Sequence, residues 1–401
     1  MMKRRVFYIP GYDPFHPRRY RELYRKQGAS QAQISGYQLA IQPKAKSDVF
    51  GWQAVLETAE TRSEVEMDVL VWSDVVRNSM AVGVFRTYVL LLRTAWIYIS
   101  SGALFKLMRL RKGPILAAFY PVCMLLGQLI LAIIIGLWGG RLGSWLLSHV
   151  SVGLGTAWFW ASLIILPVLL LGWFKRHDNR IYAHYLMQDF AFSAQGNGAY
   201  SADLEVKIAE FKEIIASSIS DDIDEVLVVG HSSGAHIAVS ILSDLIKEHD
   251  LSKTNANLSF LSLGHVVPMV SFLPKANRLR GDLNFLSQRD ELTWIDVTAP
   301  GDGCAFALCD PVGVTGVASE NQKWPVVFSA AFTQSLSHER WRALRWRFFR
   351  LHFQYLCAFD RPLDYDYFQI TAGPLTLAER YKDRKPSKSR LFEAVSGHRS
   401  M

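Results

Sequence analysis

Two uncharged apolar runs in the middle of the chain restrict its possible folds more than any other feature. The first run, Ile115 to Trp138, has 24 residues, and the second, Val152 to Phe174, has 23. At 1.5 Å per residue, each run would form a helix of roughly 35 Å, which is enough to cross the hydrocarbon core of a bilayer. The alternative is a buried hairpin of a large soluble protein, but such helices rarely lack every charge. We therefore expect both runs to span a membrane.

Basic residues border the outer ends of these two runs, whereas the connection between them has one fixed charge, Arg141. The bordering residues are Arg109, Arg111 and Lys112 before the first run, and Lys175, Arg176 and Arg180 after the second. Positively charged flanks stay on the cytoplasmic side. We therefore expect a hairpin of two transmembrane helices, residues 113–176, in the cell membrane, with both termini and all remaining domains in the cytoplasm.

The segment that precedes the hairpin, residues 81–112, is also apolar but is interrupted by basic side chains. These are Arg86, Arg93, Lys106 and Arg109. The pattern predicts amphipathic helices at the membrane interface, and the alternative of a third span over 82–100 is disfavoured by its two arginines. Much of the net charge of +8 thus surrounds the membrane segments. This position indicates membrane lipids as partners and gives no support to nucleic acid, while the oligomeric state stays open.

The sequence on either side, residues 1–80 and 177–380, alternates short β-branched runs with segments of helical periodicity. Strands are predicted near 5–9, 34–42, 52–58, 66–72, 225–229, 258–263, 292–297 and 324–329, and helices near 17–27, 201–219, 234–247 and 275–288. This alternation is typical of a doubly wound α/β fold. Neither part has enough strands for a full sheet, so we expect one α/β domain that the hairpin interrupts. Residues 381–401 are predicted to be a basic flexible tail.

One short motif carries a specific chemical prediction. Gly230-His231-Ser232-Ser233-Gly234 follows a β-branched run and precedes a run that fits a helix. A G-x-S-x-G sequence between a strand and a helix is typical of a nucleophile elbow, in which the glycines allow close approach and the serine hydroxyl projects from the turn. Ser232 is then the candidate nucleophile, and the backbone N–H of Ser233 would face a developing oxyanion. The alternative is a glycine-rich turn with incidental serines.

On these residues the chain resembles the α/β-hydrolase superfamily, especially its lipase and esterase branches, in which a histidine often precedes the nucleophile as His231 does here. It looks most like bacterial membrane-anchored members of unknown substrate. The resemblance covers about residues 1–75 and 185–375 and leaves the hairpin outside the common fold. It implies an α/β-hydrolase-like, mostly parallel sheet interrupted by an inserted transmembrane hairpin.

The resemblance also implies a second oxyanion donor and an acid that follows the serine in the chain. The donor usually lies in the turn after an early strand, and the backbone N–H of Tyr12, next to Gly11, fits that position. The acid should follow a later strand, as Asp302 does. Asp296 lies within that strand and Asp310 precedes a proline, so both are less well placed.

The general base of such a triad is a histidine that follows the acid. His352 lies in an apolar neighbourhood that would shield it from water, whereas His338 lies in a polar sequence that favours a helix start. We prefer His352 and keep His338 as the alternative base. His398 lies in the predicted tail and is set aside.

These residues together lead us to expect a membrane-anchored serine hydrolase that acts on acyl esters, with lipids or lipid-like amphiphiles as natural substrates. The chemistry runs through an acyl-Ser232 intermediate and requires neither a metal nor an organic cofactor. The alternative is a non-catalytic α/β-hydrolase-like membrane scaffold or lipid-binding protein. The sequence does not distinguish hydrolysis from acyl transfer, because both begin with the same acyl-enzyme. A third function, transport, would need more than one membrane hairpin and would therefore require oligomerisation of this chain.

Overall fold

One mixed sheet forms the framework of the protein. The computed structural model describes residues 1–44, 49–80, 82–251 and 254–401. Within them, the strands are β1 (Met2–Ile9), β2 (Gln38–Pro43), β3 (Gly51–Glu57), β4 (Arg62–Val69), β5 (Glu225–His231), β6 (Asn257–Leu263), β7 (Leu292–Thr298) and β8 (Val326–Ser329). Their order is β2-β3-β4-β1-β5-β6-β7-β8. All neighbours from β4 to β8 are parallel, whereas β2 and β3 form an antiparallel edge. The prediction of an α/β fold with a mostly parallel sheet is confirmed.

The helices alternate with these strands along the chain. They are α1 (Arg18–Ser35), α2 (Ser73–Met80), α3 (Val84–Ser100), α4 (Ala103–Leu110), α5 (Lys112–Ser148), α6 (Val152–Arg176), α7 (Asp178–Ile181), α8 (Ala183–Ala194), α9 (Ala202–Ala216), α10 (Gly234–Glu248), α11 (Val267–Ser271), α12 (Asn277–Leu286), α13 (Pro311–Thr315), α14 (Phe332–Ser335), α15 (His338–Leu344), α16 (Phe348–His352), α17 (Tyr367–Ala372) and α18 (Leu377–Arg380). Helix α9 shows why the sequence specifies them: its apolar residues recur every three or four positions and are buried, and Ser201 caps its first turn.

The chain divides into two compact units. Unit 1 comprises Met1–Asn78, Tyr98–Pro114 and Ala194–Met401, and unit 2 comprises Ser79–Ile97 and Ile115–Ser193. The whole sheet belongs to unit 1, in which β1 lies between β4 and β5. Strands from before and after the apolar helices therefore pair in one sheet.

A buried ion pair fixes the pairing of β1 with β5 in unit 1. The Arg4 guanidinium contacts the Glu225 carboxylate, and both side chains are fully buried. Arg4 also donates to the carbonyl of Gly373 at 2.9 Å. The other oxygen of Glu225 accepts hydrogen bonds from Ser259 Oγ at 2.6 Å and from the N–H of Leu377 at 2.7 Å. This network joins two central strands to the C-terminal helices.

Unit 2 contains the residues from Ile115 onward of α5 and all of α6. Both helices are long and apolar enough to cross a membrane, with mean hydropathies of 2.3 and 2.1. Among the described residues, a third span arises only if α2 and α3 are counted together. The break between those two helices includes Ala81, the first residue of the predicted interfacial segment, which lies outside the described residues.

Small residues allow α5 and α6 to pack closely. A Cβ atom on Gly140 would lie 2.4 Å from Ser162 Oγ, and one on Gly143 would lie 1.9 Å from Trp158 Nε1. Trp158 donates a hydrogen bond to the carbonyl of Gly139 at 3.1 Å. Glycines at a helix contact are typical of membrane-embedded pairs, in which close backbone approach replaces a hydrophobic driving force.

The C-terminal residues differ from the flexible tail predicted for 381–401. The N–H of Ser387 donates to the carbonyl of Val327 at 2.8 Å, and the carbonyl of Leu391 accepts from Asp310 at 2.8 Å. Further along, the N–H of Val395 donates to the carbonyl of Val314. The prediction relied on basic side chains, but these are largely exposed while the backbone makes the contacts with unit 1.

Candidate active site

Ser232 occupies a strained turn between β5 and α10. Its φ is +57°, in the left-handed region that a residue with a Cβ atom rarely adopts. The N–H of Ser232 donates to the carbonyl of Leu263 at 2.9 Å, which holds the turn against the end of β6. Strain of this kind persists only where the surrounding structure enforces it, and it is concentrated at functional sites. The turn lies at the carboxyl end of a central strand.

Crowding explains both glycines of the motif. A Cβ atom on Gly230 would lie 2.8 Å from Ala235 Cα, and one on Gly234 would lie 2.2 Å from the carbonyl oxygen of Ile9. Real Cβ atoms essentially never come this close to backbone atoms. The helix can therefore start directly against β1 and β5 only because neither position carries a side chain.

The turn after β1 lies beside the serine. A Cβ atom on Gly11 would lie 3.0 Å from Ser232 Cβ and 3.4 Å from Ser232 Oγ. Trp72 supports this turn, since its indole N–H donates to the carbonyl of Pro10 at 2.9 Å and its ring meets the ring of Tyr12 edge-on. Tyr12, the predicted oxyanion donor, thus follows the glycine that touches the serine. Ser233 directly precedes α10, where the first N–H groups have no acceptor within the helix.

We expect that changing Gly11 to alanine slows the reaction of Ser232 with an acylating probe about tenfold or more, because the new methyl group displaces the serine side chain. Gly281→Ala in α12 is the matched control, since a Cβ atom there would lie 3.8 Å from its nearest neighbour. Labelling rates of the purified proteins measure the effect. Equal rates for both variants and the wild type would show that the close approach of Gly11 is irrelevant to the reactivity of Ser232.

Asp302 and His352 form a buried hydrogen-bonded pair. Asp302 follows β7 in a loop, and His352 ends α16. Their side chains meet at 2.7 Å between Nδ1 and Oδ2. The carboxylate also accepts from the hydroxyl of Tyr355 at 3.1 Å and, through Oδ1, from the N–H of Cys304 at 2.9 Å. A carboxylate on Nδ1 places the imidazole proton there and leaves Nε2 as an acceptor.

The same pair lies next to the serine turn. His231 donates from Nε2 to the carbonyl of His352 at 3.0 Å, and the two rings are 4.8 Å apart between centroids. Burial and the neighbouring His352 lower the pKa of His231 to about 3, so His231 is a neutral support for the backbone of His352. Within the part of the chain that the structure describes, Ser232 Oγ makes no hydrogen bond to His352. Such contacts often tighten only when substrate is bound.

The alternative residues lie in other surroundings. His338 is exposed at the first residue of α15. Asp296 accepts a hydrogen bond from Ser262, and burial raises its pKa to about 8. Asp310 caps α13, and burial raises its pKa to about 6. The contact to His352 is thus made by Asp302, the residue that the sequence favoured.

Two neighbours of the pair were missed from the sequence. Burial and the adjacent Asp302 raise the pKa of the Tyr355 hydroxyl well above its usual value, so Tyr355 is a permanent donor. Its position three residues after His352 was the available signal.

One ligand atom from each of Asp302, Cys304 and His352 lies within 4.8 Å of the others, a set that zinc can use. A metal bound there would compete with the hydrogen bond between Asp302 and His352.

The fold and the site together define an α/β protein with a strained serine beside a buried acid–histidine pair. Comparison of the chain with protein-family models, curated proteins and solved structures found no significant match. The functional argument therefore depends on the geometry of this chain.

Proposed function

We propose that the protein is a membrane-anchored serine hydrolase of the α/β-hydrolase type, which cleaves acyl esters through an acyl-Ser232 intermediate. The observation that supports this most is the buried hydrogen bond between Asp302 and His352, formed next to the strained turn that carries Ser232. An activated serine needs a base, and the base needs a third group to orient it. These three residues offer that combination on separate elements of unit 1.

In the first half of the reaction, Ser232 Oγ attacks the ester carbonyl while His352 Nε2 takes the hydroxyl proton. Asp302 stabilises the imidazolium that forms and keeps its orientation through Nδ1. The negative charge moves to the carbonyl oxygen, where the N–H groups of Tyr12 and Ser233 are the proposed donors. Neither donor requires a metal.

In the second half, the imidazolium returns its proton to the departing alcohol, and the acyl group stays on Ser232. His352 then takes a proton from water as the water oxygen attacks the acyl carbonyl. Collapse of this intermediate releases the carboxylic acid and returns the proton to Ser232. An acceptor alcohol in place of water would give acyl transfer by the same steps.

The membrane helices point to the substrate class. With the basic flanks of the hairpin in the cytoplasm, unit 1 is on the cytoplasmic side of the cell membrane. Helix α4 ends two residues before α5 begins, at Leu110 and Lys112. The hydrolase unit is therefore joined directly to a membrane span, and acyl esters of lipids or lipid-like amphiphiles are the substrates within its reach.

A fluorophosphonate probe tests the proposal, because it reacts only with an activated serine. We expect covalent labelling of the full-length wild type in detergent and none of Ser232→Ala. The matched control is Ser233→Ala, which changes the adjacent hydroxyl but retains the backbone N–H, and which should still be labelled. A folded wild-type protein that resists the probe would falsify the hydrolase assignment.

One observation favours a second function. Ser232 Oγ is not hydrogen-bonded to His352 within the described residues, as would be expected of a non-catalytic, lipid-binding scaffold. The fluorophosphonate probe distinguishes the two functions, since Ser232 of a non-catalytic scaffold is not activated and should not be labelled.

A further inference from the structure

The segment from the last turn of α15 into the start of α16 carries an unusual concentration of exposed aromatic and basic side chains. Residues 342–350 read R-A-L-R-W-R-F-F-R, with four arginines, three aromatic rings and no acidic residue. Trp346 is 73% exposed and Phe348 is 45% exposed. Large rings in water are unfavourable, and a cluster of them marks an interaction surface more often than chance.

The arginines of this segment lack counterions among the described residues. Within the residues that the structure describes, no carboxylate lies within 4.0 Å of the guanidinium of Arg342, Arg345, Arg347 or Arg350. By contrast, Arg340 just before them pairs with Asp360 at 3.3 Å. The segment thus presents four uncompensated positive charges next to exposed rings.

Helix α4 has the same character on its outer side. Its residues Ala103, Leu107 and Leu110 are buried, whereas Phe105 is 62% exposed and Met108 is 41% exposed. Between these two lies exposed Lys106, and Arg109 follows. The helix therefore faces unit 1 with one side and leaves an apolar, basic side uncovered.

Residues 342–350 and the first residues after α4 both lie beside the loop that carries Asp302. A Cβ atom on Gly303 would lie 3.2 Å from the ring of Phe348, and one on Gly301 would lie 2.6 Å from the ring of Trp341. Three residues after the end of α4, a Cβ atom on Gly113 at the start of α5 would lie 3.4 Å from Gly303 Cα. We define the basic aromatic surface as residues 342–350 together with the exposed residues of α4. All of it belongs to unit 1.

We propose that the basic aromatic surface binds the face of a membrane that contains anionic lipids. Arginines and lysines near such a face are attracted by its negative charge, and aromatic rings favour the headgroup level. An acidic protein could match the charge, but continuity with the membrane favours lipid, since α4 leads into the span α5 within two residues. Lipid bound here lies beside the loop of Asp302. On the proposed function, this gives the substrate class: lipids with anionic headgroups.

Photocrosslinking of the full-length protein in lipid nanodiscs tests this proposal. Benzoylphenylalanine replaces Trp346 in one variant and Val206, which is 66% exposed in α9, in the control. The discs contain phosphatidylcholine alone or with phosphatidylglycerol that carries an alkyne tag. We expect a tagged lipid adduct at position 346, severalfold stronger than at position 206. Adding R342Q, R345Q and R347Q should remove the preference for phosphatidylglycerol over an equally tagged phosphatidylcholine.

Four outcomes would overturn the proposal. They are no lipid adduct at position 346, equal adducts at both positions, crosslinks to a second copy of the chain, and equal capture of the two lipids at position 346 while all four arginines are present. The measurement is repeated with Ser232→Ala, because crosslinking requires no catalysis. An inactive protein that captures anionic lipid contradicts only the proposed function, and an active one that captures none contradicts only the basic aromatic surface.

Discussion

Replacing His352 with alanine is expected to slow ester hydrolysis by on the order of 10²–10⁴-fold, the usual contribution of a positioned general base. Without the imidazole, no group takes the proton of Ser232 as it attacks. Hydrolysis of a short-chain nitrophenyl ester by the full-length protein in detergent measures the loss. The effect should fall on kcat, because the imidazole acts in the transition state and not in ester binding.

The control for this experiment is His338→Ala, which removes an exposed imidazole at the start of α15 and should leave the rate unchanged. Since His352→Ala also leaves the buried carboxylate of Asp302 without its partner, His352→Gln is a necessary companion. Its amide can still donate to Asp302 but is not basic. If His338→Ala removes activity while His352→Gln retains it, the assigned base is wrong.

Removing the carboxylate of Glu225 is expected to destabilise the protein by about 3–5 kcal/mol, the usual cost of breaking a buried ion pair from one side. In Glu225→Gln, the fully buried guanidinium of Arg4 loses its counterion and remains charged. Ser259 and Leu377 also lose a charged acceptor. The midpoint of thermal unfolding, followed by circular dichroism in detergent, should fall markedly.

Glu57→Gln is the matched control for this prediction, because it breaks an ion pair with Arg62 in which both partners are largely exposed. Such pairs contribute little, so the midpoint should hardly change. Combining Glu225→Gln with Arg4→Met should recover part of the loss, since no buried charge then stays unpaired. Equal effects of the two single variants would show that burial of the Arg4–Glu225 pair has no energetic importance.

Local patterns in the sequence were sufficient for the features that depend on neighbouring residues. The two apolar helices follow from uninterrupted hydropathy, and the serine turn follows from glycines spaced around Ser232. Asp302, by contrast, was chosen because the resemblance to α/β-hydrolases places the acid after a later strand, and the loop after β7 fits that position. For the apolar helices and the serine turn, the physical cause lies within a few tens of neighbouring residues.

Features that depend on distant contacts could not be predicted in this way. Tyr355 reaches Asp302 across 53 residues, and its position three residues after His352 does not by itself specify that contact. The C-terminal residues looked flexible because of their basic side chains, yet their backbone pairs with segments near Val314 and Val327. The antiparallel edge formed by β2 and β3 also depends on pairing that a short window does not encode.

The position of β1 in the sheet affects how the protein is made. β1 needs β5 on one side, but more than two hundred residues, including both apolar helices, separate the start of one strand from the start of the other. At the usual speed of translation, roughly 10–40 s pass before β5 leaves the ribosome. During that time one edge of β1 has no partner, and such an edge invites aggregation. Both apolar helices therefore leave the ribosome before β5 can complete the sheet of unit 1, and the nascent N-terminal strands have to wait with this edge of β1 unpaired.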